Sequence, residues 1–261
     1  MTTLDLFQQG SSALDDVWVA IDLETTGLSP SDDEIIEVGA VKFQGDTDID
    51  EFQSFVNPHR QLGGFVKMLT GIDQSEVDAA PDFAALAPEL GRFVGSAAVV
   101  GHNVAFDLRF LTVNGLQLSN PKCDTWDMAY VMLPGAREYS LGRIAASLGI
   151  DHPRPHRAQD DAAVTRDLFR ALVERALDLD VFLLAEMEQL AARSPWVLGY
   201  LLRSLTAKKI AEQIHAPHQD EVDGSGVPPG RLLAGGLDLN ELKVRLRRPR
   251  KPRVGRTGLR T

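Results

Sequence analysis

The chain has 261 residues, 44% of them hydrophobic, with 37 acidic against 27 basic side chains and a formal net charge of −10. That is apolar material for one large domain, or one domain with an appendage, and no apolar run reaches the roughly 18 residues needed to span a bilayer. A lone Cys123 excludes an internal disulfide and a cysteine-built zinc cage, and the opening MTTLDLFQQGSSALDD has neither the basic nor the apolar region of a secretory signal, so a cytoplasmic protein without a membrane partner is expected.

Residues 17–24, VWVAIDLE, are a short β-branched run that turns polar at its end, which predicts a strand. TTGLSPSDD then reads as a loop. Ile35–Phe43 and Asp50–Val56 predict two more strands, and Gly45-Asp46 between them suggests a hairpin. Residues 82–94 have apolar side chains at helical spacing behind Pro81. Ala97–Gly101 predicts a short buried strand, and Ala105–Val113 a helix that stops at Asn114-Gly115. A short strand near Cys123 precedes helical segments around 125–133 and 140–148. Pro153 and Pro155 force a loop, after which Asp160 is expected to cap and open a long helix to about Ala176. Residues 178–214 predict further helices with a break at Ser194-Pro195. From 216 to 261 the composition shifts to Pro, Gly and Arg, as in a linker or flexible tail.

The resulting expectation is an α/β fold: a lead at 1–15, a catalytic domain at 16–175, a helical extension at 176–215 and the tail at 216–261. Charge is unevenly spread. Nine basic and no acidic residues lie between Lys243 and Thr261, so the body is more acidic than the whole. An acidic body can hold a phosphodiester only if divalent cations screen its carboxylates.

Three short patterns carry the chemistry. Asp22 and Glu24 are two apart near a strand end, so they share a face, where two like charges repel unless a cation lies between them. Asp107, in GHNVAFDLRF, falls in a first helical turn beside apolar neighbours, with Asn103 as a cap or loop residue. In HRAQDDAAV, His156 belongs to the loop after Pro155 and Asp161 to the first helical turn, so both can reach one place from different directions. On this pattern Asp160 and Asp161 could exchange roles. Taken singly, each pattern has an ordinary structural reading. His59, His102, His152, His215 and His218 match no zinc spacing and read as structural or solvent-facing.

In order and spacing, D-x-E-T-T-G at 22–27, H-N-x-x-F-D at 102–107 and H-x-A-x-x-D-A at 156–162 resemble the three motifs of the DEDDh, or DnaQ-like, 3′–5′ exonucleases. The resemblance spans roughly residues 16–175, includes LTGI at Leu69–Ile72, and departs at none of the five polar positions. Closer still is the likeness to the exonuclease region of DinG-type helicases or a polymerase proofreading subunit. SPWVLGYLL and GLDLNELKVRLRRP look like the join to a helicase part. No G-x-x-x-x-G-K-[ST] loop is found, so no motor is expected in this chain, which reads as a stand-alone or truncated form.

The resemblance implies an RNase H-like fold, a five-stranded mixed sheet flanked by helices. It implies hydrolysis of phosphodiester bonds with two Mg2+ or Mn2+ ions held by Asp22, Glu24, Asp107 and Asp161: Asp22, Glu24 and Asp161 on the ion that activates water, Asp22 and Asp107 on the second. His156 is then the general base, since a histidine with its ordinary pKa of about 6.5 can accept a proton near neutrality. Thr25, Thr26, Gly27 and Leu28 are expected against the terminal nucleotide, Leu69 and Thr70 as a wall for the last base, and His102, Asn103 and Phe106 as further substrate contacts. The implied partners are single-stranded DNA or 3′ ends of duplex DNA, in replication proofreading or repair, and a polymerase or helicase. RNA as substrate, a non-cleaving binding module and a structural subunit of a larger machine stay open as alternatives.

Overall fold

Alternation along the first strand, β1 (Trp18–Thr25), sets the architecture. Val19, Ile21 and Leu23 point into one apolar cluster, while Trp18 and Ala20 point into another on the opposite face. With a side-chain period of two, Asp22 and Glu24 continue the Trp18 face past the end of that core. β2 (Ile35–Gln44) pairs antiparallel with β1, and β3 (Thr47–Phe55) antiparallel with β2. β4 (Ala98–Gly101) lies parallel on the other side of β1, and β5 (Lys122–Asp124) parallel to β4. The sheet therefore runs β3-β2-β1-β4-β5, the expected mixed five-stranded sheet. The computed structural model describes residues 16–193 and 198–215. The lead at 1–15, the break at Ser194-Pro195, His218 and the tail at 216–261 lie outside the described residues.

Helices cover both faces. On the Val19 side α3 (Phe83–Val94) packs Phe83, Leu86, Leu90 and Val94 inward, and α4 (Val104–Val113) packs Phe110 and Leu111. Two short helices come before them, α1 (Gly64–Thr70) and α2 (Gln74–Asp78). Neither was expected from the sequence. Seven and five residues are too few to show a helical period, although the Asp73 and Glu76 spacing is that of a capping box, and Asp73 N donates to Glu76 Oε2 at 2.8 Å.

On the Trp18 side lie α5 (Thr125–Met132), α6 (Leu141–Ser147) and the long α7 (Ala158–Asp178), followed by α8 (Val181–Ala191). Among the described residues the last helix, α9, runs Gly199–His215. Leu184 of α8 and Leu201, Leu202 and Leu205 of α9 share a core cluster with Trp18, Phe169 and Leu172. The extension expected at 176–215 thus helps to build the main core as far as Ala207, where the first compact unit ends. Cys123 is buried, its thiol raised by burial and within 3.4 Å of Met128 Sδ. Among the described residues no helix is long and apolar enough to cross a membrane.

Candidate active site

Cross-strand pairing brings two acids side by side. Glu24 of β1 stands opposite Glu37 of β2, and Asp22 opposite Gly39. Gly39 matters because α7 lands on it: a Cβ there would lie 2.1 Å from the carbonyl carbon of Ala158. Only a glycine admits the start of α7 this close to the sheet. The approach puts Asp161, one turn into α7, against the pair on β1.

Glu37 fixes that landing. Its side chain is fully buried, and it accepts from Arg157 Nη2 and Nε (3.0 and 3.1 Å), from Gln53 Nε2 (2.8 Å) and from the amide of Ala158 (3.1 Å). The last bond caps α7 from another element. Hence the helix opens at Ala158, and Asp160 is not its cap as the sequence suggested. Asp160 instead faces Arg154 Nη2 at 2.8 Å, leaving Asp161 as the site carboxylate.

The helix that carries Asp107 is started in the same way. Asn103 adopts the left-handed conformation (φ 66°) ahead of α4, and its side chain makes no cap bond. Asp124, at the end of β5, supplies the cap. Its Oδ2 accepts from Val104 N and its Oδ1 from both Asn103 N and Trp126 N, each at 2.9 Å. One carboxylate thus serves the first turns of α4 and α5. Asp107, buried, reaches β1 by accepting the Leu23 amide on Oδ1 at 3.1 Å.

Electrostatics follow from this crowding. Burial, then Asp107, Asp161, Glu24 and Glu37, push Asp22 well above the usual carboxylate range. Glu24 is raised to about 8 by burial and by Asp161, Glu37 and Asp107, against a smaller opposing pull from Arg157. Burial takes Asp107 to about 8, with the amides of Leu23 and Asp107 opposing. Asp161 is raised by burial while a bond from His152 opposes the rise. Four carboxylates that resist ionising together are a donor set for a hard cation, which relieves both the repulsion and the burial cost.

His156 is exposed, at φ 63°, and one of its ring nitrogens groups with carboxylate oxygens of Glu24 and Asp161, all within 4.8 Å of one another. His152, read from the sequence as structural or solvent-facing, is part-buried with Nε2 2.6 Å from Asp161 Oδ1. No periodicity or motif marked His152. Glu37 did carry a signal, as a charged residue within the apolar run IIEVGAV.

The other candidates divide. Thr25 Oγ1 donates to Gly27 O (2.6 Å), and Thr26 Oγ1 donates to Asp33 Oδ1 (3.2 Å) and accepts from Glu34 N (3.0 Å), so both hydroxyls brace the loop. A Cβ on Gly27 would collide with the Asp33 carboxylate. Leu28 projects from that loop, 84% exposed. Leu69 is exposed with Phe65 and Met68 on α1. Thr70 is buried, its hydroxyl bonded to Val66 O and Ile72 N, which places it in the structure of α1 and not on an open wall. His102 bridges Thr125 Oγ1 (2.9 Å) and Tyr139 O (2.8 Å), using both ring nitrogens structurally. Phe106 is part-buried against Phe110, ring centroids 5.0 Å apart. Asn103 remains exposed.

Residues 19–169, more than half the chain, match the model of the RNase_T exonuclease family. The chain belongs to that family. It is 39% identical over 181 residues to the PolC-type DNA polymerase III of Thermotoga maritima, covering 67% of this chain and 13% of that protein. It is 34% identical over 193 residues to the 3′-5′ exonuclease DinG of Bacillus subtilis, covering 71% of this chain and 20% of that one. The chain therefore spans only about an eighth to a fifth of the relatives it matches. Among solved structures, exonuclease X in complex with 5′ overhanging duplex DNA shares the fold, with a TM-score of 0.52 and 23% identity over 60% of this chain and 91% of that one. Exonucleases of this family are generally dependent on divalent metals.

Proposed function

We propose that this exonuclease hydrolyses DNA from a free 3′ end and releases nucleoside monophosphates, with Mg2+ or Mn2+ in the site. The observation that carries the reading is the convergence of Asp22, Glu24, Asp107 and Asp161, all raised in pKa, with His156 beside Glu24 and Asp161. These four carboxylates would hold the cation, two ions in the full reading, and the cation when bound supplies an activated water and neutralises charge on the phosphoryl oxygens. His156 takes up the proton of the attacking water as general base. Its exposed loop position lets it meet a substrate that arrives from solvent. His152 holds Asp161 in place from the inner side. Leu28 and the exposed face of α1 (Phe65, Met68 and Leu69) form the apolar wall for the terminal base.

DNA is favoured over RNA because the relatives above 30% identity are a DNA polymerase III and DinG. The same likeness supports work beside a polymerase or helicase in replication proofreading or repair. A time course on 5′-labelled DNA and RNA strands of one sequence, with magnesium, manganese or chelator, tests all of this. Expected is a ladder shortening from the 3′ end of DNA that chelator stops. Shortening from the 5′ end, or cleavage untouched by chelator, would overturn the reading.

A further inference from the structure

β1, β4 and β5 are parallel, so their C-terminal ends share one edge of the sheet. That edge carries Asp22 and Glu24 toward the end of β1, Asn103 after β4, and the start of α5 after β5. α4 crosses there with two working faces. Asp107 turns toward β1, while Leu108, Arg109 and Thr112 line a cleft of about 850 Å3 together with Asn103, Lys122 and Trp126. The cleft is lined at one end by Asn103, from the same motif as Asp107, and runs along the outer strand β5 from Asp124 to Lys122.

Trp126 lines the cleft, and Tyr130 stacks on Trp126. Trp126, 40% exposed, and Tyr130, 58% exposed, are stacked nearly parallel, 7° between planes and 5.6 Å between centroids. Tyr139 packs at a tilt on both, with interplanar angles of 59° and 54°. Partly exposed indole and phenol rings near cations are what a single strand needs: π faces for its bases and charge for its backbone. Arg109 and Lys122 are the exposed cations. Of the two acids on the wall, Asp124 is engaged by three backbone amides; the other is Asp127.

We propose that this cleft binds the single strand upstream of the scissile end, with bases on the Trp126–Tyr130 stack and phosphates on Arg109 and Lys122. The inference rests on the exonuclease reading, and it makes the enzyme sensitive to substrate length. It gives a strand of several nucleotides a grip that the terminal nucleotide alone lacks.

The test is fluorescence anisotropy with labelled dT12 and dT3, using the full chain in chelator so that nothing is cut. Wild type should bind dT12 more tightly than dT3. The Trp126→Ala/Tyr130→Ala variant should lose at least roughly 10-fold of that ratio, and Trp126→Phe/Tyr130→Phe, which keeps both rings, should retain most of it. If the alanine variant fails to fold, Arg109→Ala/Lys122→Ala decides, by flattening the slope of log affinity for dT12 against log salt by roughly 1.4. Equal binding of dT12 and dT3 by wild type overturns the proposal. So does an unchanged ratio in the alanine variant, which would leave the face to a protein partner, or an unchanged salt slope. A separate incubation of wild type with dT12 and magnesium tests the exonuclease reading. Its failure there leaves the binding ratio to be judged by itself.

Discussion

Asp22 and Glu24 sit on the strand face that holds Trp18 and Ala20, at the point where apolar neighbours give way to other acids. Because the fold gathers charge it cannot neutralise by itself, single substitutions here should separate catalysis from stability. Asp22→Ala or Glu24→Ala is expected to lower hydrolysis by roughly 10³-fold, since several kcal/mol of charge stabilisation is lost with the ion. In chelator the same variants should melt no lower than wild type, and higher where repulsion is relieved. Near-wild-type cleavage by either variant would remove these acids from the site. For His156→Ala, loss of at least roughly 10²-fold in rate is expected with metal binding retained. The discriminating measurement is calorimetric titration of magnesium or manganese, because the grouping of His156 with Glu24 and Asp161 also suits a ligand; lost affinity would make it one. Acidity of the site also sets a pH dependence. Glu24 and Asp107 titrate near 8 in the fold, above their ordinary values of 4.5 and 3.8. The folded state therefore binds protons that the unfolded chain has released, and the stability this brings is complete below about pH 4 and lost as pH rises through 8. Melting in chelator should fall across that window and fall less with divalent metal present. A flat profile in chelator would contradict the crowding of charge.

At the scale of elements, what matters is how α7 is seated. Gly39→Ala would push a methyl into backbone, not into a side chain that could swing away. A cost of roughly 1–3 kcal/mol follows from overpacking, together with displacement of Asp161 and loss of rate. Glu37→Ala removes a buried acid and leaves Arg157 and the Ala158 amide without their acceptor. Roughly 3 kcal/mol is expected, the low end for breaking a buried pair, because part of Arg157 stays in water. Denaturant unfolding of both variants checks this, and wild-type midpoints would show that α7 is held by other means. These contacts also explain which parts of the molecule could be read from sequence. β1 and β2 were legible as short β-branched apolar runs and α4 by its helical spacing, and the five polar positions because their spacing forms motifs. The start of α7 was misplaced by two residues because its cap comes from Glu37, 121 residues away. His152 was read as structural or solvent-facing, and its bond to Asp161 went unseen for a similar reason, since nothing in DHPRPH announces that partner. Thr70 looked accessible in LTGI, yet a helix too short to show its period turns it inward.

For the whole molecule, an acidic body must receive a polyanion. The cleft offers two exposed cations, Arg109 and Lys122, and the stretch from Lys243 to Thr261 adds nine basic residues. Deleting residues 243–261 should weaken binding of a single strand and flatten its dependence on salt, since fewer counterions are released. Affinity measured at several salt concentrations for full and truncated chains, in chelator, decides the matter; identical slopes would assign that stretch to linking and not to binding. The seating of the two catalytic helices has one more consequence, for the timing of activity during synthesis. A chain leaves the ribosome from its N-terminus. Asp22, Glu24 and Asp107 are all made before Asp124, which starts the helix bearing Asp107, and long before Ala158 reaches the waiting Glu37. A nascent chain halted at residue 150 would contain two of the three motifs and still lack His156, Asp161 and the helix that brings Asp161 to the sheet. Such fragments should cleave nothing when made and assayed, so the nuclease is silent until nearly all of its sheet and the base of α7 are in place, and interrupted translation releases no enzyme that could damage DNA.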